Sequence, residues 1–132
     1  MPSIQRARRV ALSTVVAIAL LGSCAADDDP GNLSQAALDG RSIVRSKRCA
    51  ACHGSNGEGV VGPPLVGLFG SDVQIQDGST VVADREYLVE SIVDPSAKLV
   101  ESYNLRMPAT ELTTDEIDAV IAYIEALAVV EP

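Results

Sequence analysis

The sequence predicts an all-α domain of three to four helices that also carries one small β-hairpin. Three observations predict it. Apolar residues recur at spacings of three and four in a stretch beginning near Ser34 and again in a stretch beginning near Thr113. A segment rich in glycine and proline lies between residues 54 and 70. One short alternating run, Val73, Ile75, Val81 and Val82, has Asp77-Gly78 at its centre.

The first two dozen residues read as an export segment rather than part of the fold. Arg6, Arg8 and Arg9 form a positive head, and residues 10–21 are apolar apart from Ser13 and Thr14. The run is too short for an ordinary membrane span, which needs about 20 apolar residues. Leu21-Gly22-Ser23-Cys24 resembles a bacterial lipoprotein cleavage site, which places a signal peptide at 1–23 and a lipid on Cys24. A plain signal peptide, or an uncleaved anchor with an incidental Cys24, stays open. The pair Arg8-Arg9 hints at the twin-arginine route, but the bulky residues expected after it are absent.

Residues 24–33, with Asp27-Asp28-Asp29-Pro30-Gly31-Asn32, read as a tether, and 34–132 as the folded domain. Ser34 is a candidate N-cap. Ala36, Ala37, Gly40, Ile43, Val44 and Lys47 then share one helix face, Lys47 burying only its stem. A glycine inside a helix costs about 1 kcal/mol against alanine, so Gly40 implies a close approach by another element. Residues 54–70 hold six of the ten glycines plus Pro63-Pro64, irregular chain able to pass close to something bulky. The hairpin follows, with Asp77-Gly78 as its turn; alone it is marginal and must lean on the rest. Asp84 caps a helix that runs to Val93 and stops at Asp94-Pro95. Thr113 and Glu116 make a capping box ahead of Ile117, Val120, Ile121, Ile124 and Leu127 on one face.

Composition narrows the function. The net charge is −8; cleavage before Cys24 removes three arginines and none of the 18 acids, taking it to −11 and leaving 109 of 132 residues. Such a chain repels a nucleic-acid backbone and favours basic partners. It has one Phe, three Tyr and no Trp. A domain of this size normally leans on large aromatics for core area, so another large flat apolar body is expected.

Cys49-Ala50-Ala51-Cys52-His53 holds two of the three cysteines and the only histidine. Cys-X-X-Cys-His is the attachment motif of c-type haem. Two thiols three positions apart reach the two vinyl groups on one side of a porphyrin, and the adjacent imidazole ligates the iron below it. A zinc site would need a carboxylate as fourth ligand once Cys24 is assigned elsewhere. A redox dithiol would want a βαβ setting, whereas this motif ends a helix and enters a Gly-rich loop. For the second axial position, Met1 leaves with the signal and no second histidine exists, so Met107 is the candidate. Pro108 stiffens the chain beside it. Met107 as core filler, with water or nothing on the iron, is the alternative.

These residues resemble class I cytochrome c across about residues 34–130: the first helix with Gly40, the Cys49–His53 motif, the loop Gly62-Pro63-Pro64-Leu65 through Gly70, Met107-Pro108, and a last helix with Tyr123. The resemblance implies that the Pro63 carbonyl fixes the axial histidine, that Leu65 packs on the haem, and that Gly40 and Tyr123 meet where the first and last helices cross. Tyr103 is a candidate hydrogen-bond donor to a haem propionate, and Tyr87 a core residue. The hairpin, Asp84-Arg85-Glu86-Tyr87-Leu88 and Tyr103 before Met107 look most like the cytochrome c domain fused to subunit II of some haem-copper oxidases. No copper domain or membrane hairpin accompanies them, so the module is implied and the subunit is not. The layout is also similar to small lipid-anchored monohaem cytochromes of quinol-oxidising complexes.

The expectation is therefore an electron carrier, not an enzyme: one covalent haem c, iron held by His53 and Met107, thioethers at Cys49 and Cys52, and a lipid on Cys24 at the outer, periplasmic face of the bacterial cytoplasmic membrane. Redox proteins such as a quinol-oxidising complex or a terminal oxidase are the expected partners, with no nucleic acid and no small-molecule substrate. Arg41, Arg45, Lys47, Arg48 and Arg106 suggest a basic rim near the haem on an acidic body. A haem sensor or peroxidase-like protein with a labile Met107, or a structural haem subunit, remain alternatives.

Overall fold

The computed structural model describes residues 33–128. The export segment, Cys24 and nearly all of the tether lie outside the described residues. The elements, in order, are α1 (Gln35–Ser46), α2 (Ala50–His53), β1 (Asp72–Gln74), β2 (Thr80–Val82), α3 (Arg85–Val93) and α4 (Thr114–Ala128). This is the expected all-α architecture with a small hairpin. Among the described residues, no helix is long and apolar enough to cross a membrane.

Each longer helix begins where its capping chemistry dictates. The Ala37 N–H donates to Ser34 Oγ at 3.2 Å, and the Tyr87 N–H to Asp84 Oδ1 at 2.9 Å. At α4 the box closes both ways: the Thr113 N–H donates to Glu116 Oε2 at 2.9 Å and the Glu116 N–H to Thr113 Oγ1 at 3.3 Å. Each such cap satisfies N–H groups that the helix itself leaves unpaired.

α1 and the motif do not form the single helix that the sequence suggests. Arg48 takes φ of 67°, the left-handed region, just past the end of α1. A left-handed residue after a helix ends it and re-aims the chain. Cys49 to His53 then form a separate turn that closes on Gly54, whose N–H donates to the Ala50 carbonyl at 3.0 Å. On α1 the buried positions are Ala37, Gly40 and Val44; Ala36 is exposed, contrary to the face expected for it.

α1 and α4 pack against each other, and α3 leans on α4. At the α1–α4 crossing a Cβ on Gly40 would sit 1.9 Å from the Ala119 carbonyl oxygen and 2.9 Å from Tyr123 Cβ. The two helices can therefore approach only because residue 40 has no side chain. Tyr123, Ile121 and Val44 are the largest fully buried side chains. Burial pushes the Tyr123 phenol above its ordinary pKa, with Arg41 and Arg45 partly opposing.

The hairpin pairs antiparallel with Val73 opposite Val81. Its turn is longer than the two residues expected: Gln76, Asp77 and Gly78 lie between Ile75 and Ser79, whose backbones bond at 2.9 Å. It leans on the segment after α3. Ile75 bridges Val100, the Gln76 N–H donates to the Leu99 carbonyl at 2.8 Å, and the Glu101 N–H to the Gln74 carbonyl at 2.9 Å. Val73 and Ile75 point into the core.

Gly40→Ala tests the crossing. Helix propensity alone favours alanine by about 1 kcal/mol, but overpacking costs typically about 1–3 kcal/mol. The clash is with backbone, which cannot swing aside, so a net loss is expected in denaturant unfolding of the holoprotein. A gain in stability would contradict the close approach.

Candidate functional site

A cavity of about 680 Å³ opens between the α2 turn, the loop after it, α3 and the chain that leads to α4. Ligand sites fall in a range of about 300–1,000 Å³. Cys49, Cys52, His53, Pro63, Leu65, Tyr103 and Met107 all line it. The structure thus gathers in one place every site residue singled out within the described chain. Tyr87 also lines the cavity while remaining buried, as expected of a core residue. Phe69 packs against the core and is not among the lining residues, whereas its neighbour Leu68 is.

The wall that carries the motif is built by backbone. The Val60, Val61 and Gly62 N–H groups all converge on the Cys52 carbonyl, at 3.0, 3.2 and 3.0 Å. This folds the loop back under the α2 turn and brings Pro63 to the imidazole. A Cβ on Gly62 would lie 3.3 Å from His53 Cε1 and 3.4 Å from Cys52 Cβ, tight against the imidazole and in ordinary contact with Cys52.

His53 Nδ1 and the Pro63 carbonyl oxygen are 2.7 Å apart. A carbonyl only accepts, so Nδ1 carries the proton and donates it. In the neutral ring the other nitrogen, Nε2, then has its lone pair available to a metal. The hydrogen bond sets both the tautomer and the ring orientation, as the resemblance implied for Pro63.

Cys49 and Cys52 carry free sulfurs and are half-buried. Burial pushes the Cys49 thiol above its ordinary pKa, opposed by a backbone hydrogen bond and reinforced by the neighbouring Cys52. That is opposite to the lowered value that makes a dithiol reactive in exchange chemistry. Among the described residues, no three His, Cys, Asp or Glu side chains converge to hold a metal ion, so the zinc reading finds no site. Two free thiols and an imidazole with a free Nε2, at the wall of a large cavity lined by Leu65, Leu88, Ile92, Val120 and Ile124, fit a porphyrin. A porphyrin filling this cavity would supply the core area that the scarcity of aromatics implied.

Of the five basic residues grouped as a rim, Lys47, Arg48 and Arg106 line the cavity, and Arg41 and Arg45 do not. Lys98 lies on the cavity wall as well, paired with Glu90. Its place was hidden in the sequence, because nothing in its local spacing ties it to the motif. Three apolar residues at the cavity are well exposed, Val61 at 47%, Val66 at 40% and Leu105 at 69%. An apolar rim open to solvent is a feature that helical and strand periodicity do not reveal, because all three lie on irregular chain.

No curated protein matches the chain. The family model described as Cytochrome c matches residues 37–128, well over half of the chain, from the first turn of α1 to the end of α4. With the cavity, the Cys49-Ala50-Ala51-Cys52-His53 turn and the oriented imidazole at its wall, that match establishes the chain as a member of the cytochrome c family, a haem-binding electron-transfer protein with one covalent haem c and its iron.

Proposed function

We propose that the chain is a monohaem electron carrier whose iron is held by His53 and Met107, tethered by lipid to the outer face of the cytoplasmic membrane and serving a respiratory chain. The observation that carries the ligation is the pairing of a free Nε2 on His53 with Met107 at the same cavity. Met107 is the sole methionine of the described chain, and His53 the sole histidine. The bound haem supplies a one-electron Fe(III)/Fe(II) couple, and a methionine ligand raises its potential. Cys49 and Cys52 hold the macrocycle through thioethers, Pro63 holds the imidazole, and Leu65 packs on the ring. Tyr103 lines the cavity, and its hydroxyl would donate to a propionate.

If His53 and Met107 both held the iron, no position would remain for a substrate, and the protein would act as a carrier rather than an enzyme. The exposed Val61, Val66 and Leu105 and the basic Arg48 and Arg106 line the same cavity, and would offer a redox partner apolar and basic groups at the haem. A quinol-oxidising complex and a terminal oxidase are the partner types that fit the likeness to the oxidase-fused module. A lipid on Cys24, which the likeness of Leu21-Gly22-Ser23-Cys24 to a lipoprotein cleavage site suggests, would hold the protein at the membrane: two acyl chains give stable anchoring where one gives marginal binding. Anchoring raises the effective concentration of donor and acceptor.

Two outcomes test the site. In Cys49→Ala/Cys52→Ala, acid and organic solvent should extract all the haem, whereas the native protein should keep its colour through the same treatment; haem that stays on the double variant would contradict the thioether assignment. Met107→Ala should lose the methionine-to-ferric-iron charge-transfer band, bind carbon monoxide when reduced, and show a lower reduction potential. Ready carbon monoxide binding by the native protein would instead favour a sensor or peroxidase-like role.

A further inference from the structure

One side chain of the hairpin turn reaches the chain that carries Tyr103. Gln76 Nε2 donates to the Tyr103 carbonyl at 3.1 Å and to the Val100 carbonyl at 3.4 Å. The Tyr103 N–H donates to that same Val100 carbonyl at 3.2 Å, so residues 100–103 make one turn and the amide grips both of its ends. The grip has a firm base. The Gln76 N–H donates to the Leu99 carbonyl at 2.8 Å, the Gly78 N–H to the Ile75 carbonyl at 2.9 Å and the Ser79 N–H to Asp77 Oδ1 at 2.8 Å. Ile75, next to Gln76, is buried. Beyond Tyr103 the support stops: Asn104, Leu105 and Arg106 are exposed, and among the described residues none of the three makes a hydrogen bond. Tyr103 itself is half-buried and lines the cavity.

We propose that Gln76 is a positioning residue: its amide clamps the turn that carries Tyr103 and so fixes where the tyrosine hydroxyl meets a haem propionate. The proposal rests on Tyr103 as the propionate donor. A hydroxyl bonds a carboxylate well only over a narrow span, about 2.5–2.7 Å. A turn free to shift would carry the ring with it and lengthen that bond. Glutamine suits the task because one neutral nitrogen offers two N–H donors, and the two turn carbonyls take one each. A donor on a propionate draws its negative charge away from the iron, so a well-placed hydroxyl raises the reduction potential and a displaced one lowers it. Gln76 is exposed, so water competes for its hydrogen bonds and its effect is modest.

Gln76→Leu, uncharged and of similar size, removes both donors. Two readouts on the holoprotein test it. Hydrogen exchange at the Tyr103 amide should run about two- to tenfold faster than in the native protein, the range expected when a hydrogen bond that holds the turn is lost. The reduction potential, measured at a mildly alkaline pH where the propionates are ionised, should fall in Gln76→Leu and fall further in Tyr103→Phe. Adding Gln76→Leu to Tyr103→Phe should lower it no more, because the clamp acts only through the hydroxyl. A native potential in Gln76→Leu beside a lowered one in Tyr103→Phe would overturn the clamp and leave Tyr103 as the propionate donor. An equal fall on Gln76→Leu with and without the hydroxyl would also overturn the clamp, since the effect would then bypass Tyr103. A native potential in Tyr103→Phe would overturn the donor assignment and the clamp with it.

Discussion

The hydrogen bond between His53 and the Pro63 carbonyl is the interaction on which the site depends. At 2.7 Å it decides which ring nitrogen carries the proton, and so which one faces a metal. The loop exists in its observed path to make that bond. Three consecutive N–H groups close on the Cys52 carbonyl, and Gly62 passes so near His53 that a side chain there would crowd the imidazole. Proline at 63 adds stiffness, since its φ is fixed before the loop folds. The imidazole thus arrives oriented, without the entropy of searching for its rotamer once haem is present.

The frame around that bond is a crossing of two helices. α1 brings the attachment turn, and α4 closes the far side of the core. Gly40 lets the two backbones meet, and Tyr123 seals the contact. The apolar residues of α3 and α4 serve two surfaces at once: Leu88, Ile92, Val120 and Ile124 belong to the core and also line the cavity. The protein core and the haem pocket are one continuous apolar body, which explains how a domain with one phenylalanine and no tryptophan is held together. Loss of haem would leave that body unfilled, so folding and cofactor attachment are expected to depend on one another.

Much of this was legible in the sequence because it rests on local chemistry. Ser34, Asp84, Thr113 and Glu116 announce helix starts through side chains that bond their own neighbours' backbone. The attachment motif is five adjacent residues, and Met107 follows by elimination. Gly40 signals a close contact by being costly where it stands, and family resemblance supplied its partner Tyr123. The parts that were hidden depend on backbone turns or on residues far apart. Nothing about an arginine foretells the left-handed turn at Arg48 that splits α1 from the motif. Ala36 looked buried because its spacing fits, but a narrow face set by Ala37, Gly40 and Val44 leaves it outside. The pairing of Ile75 with Val100 and the reach of Lys47 to Glu111 join positions tens of residues apart, beyond any periodicity.

The central claim is that iron sits between the imidazole of His53 and the sulfur of Met107. X-ray absorption at the iron edge of the oxidised native holoprotein tests it most directly. Porphyrin and imidazole nitrogens with a single sulfur at bonding distance are expected, with loss of that sulfur in Met107→Ala. A first shell of nitrogen and oxygen alone in the native protein would contradict it, and would leave Met107 as a packing residue beside an open iron.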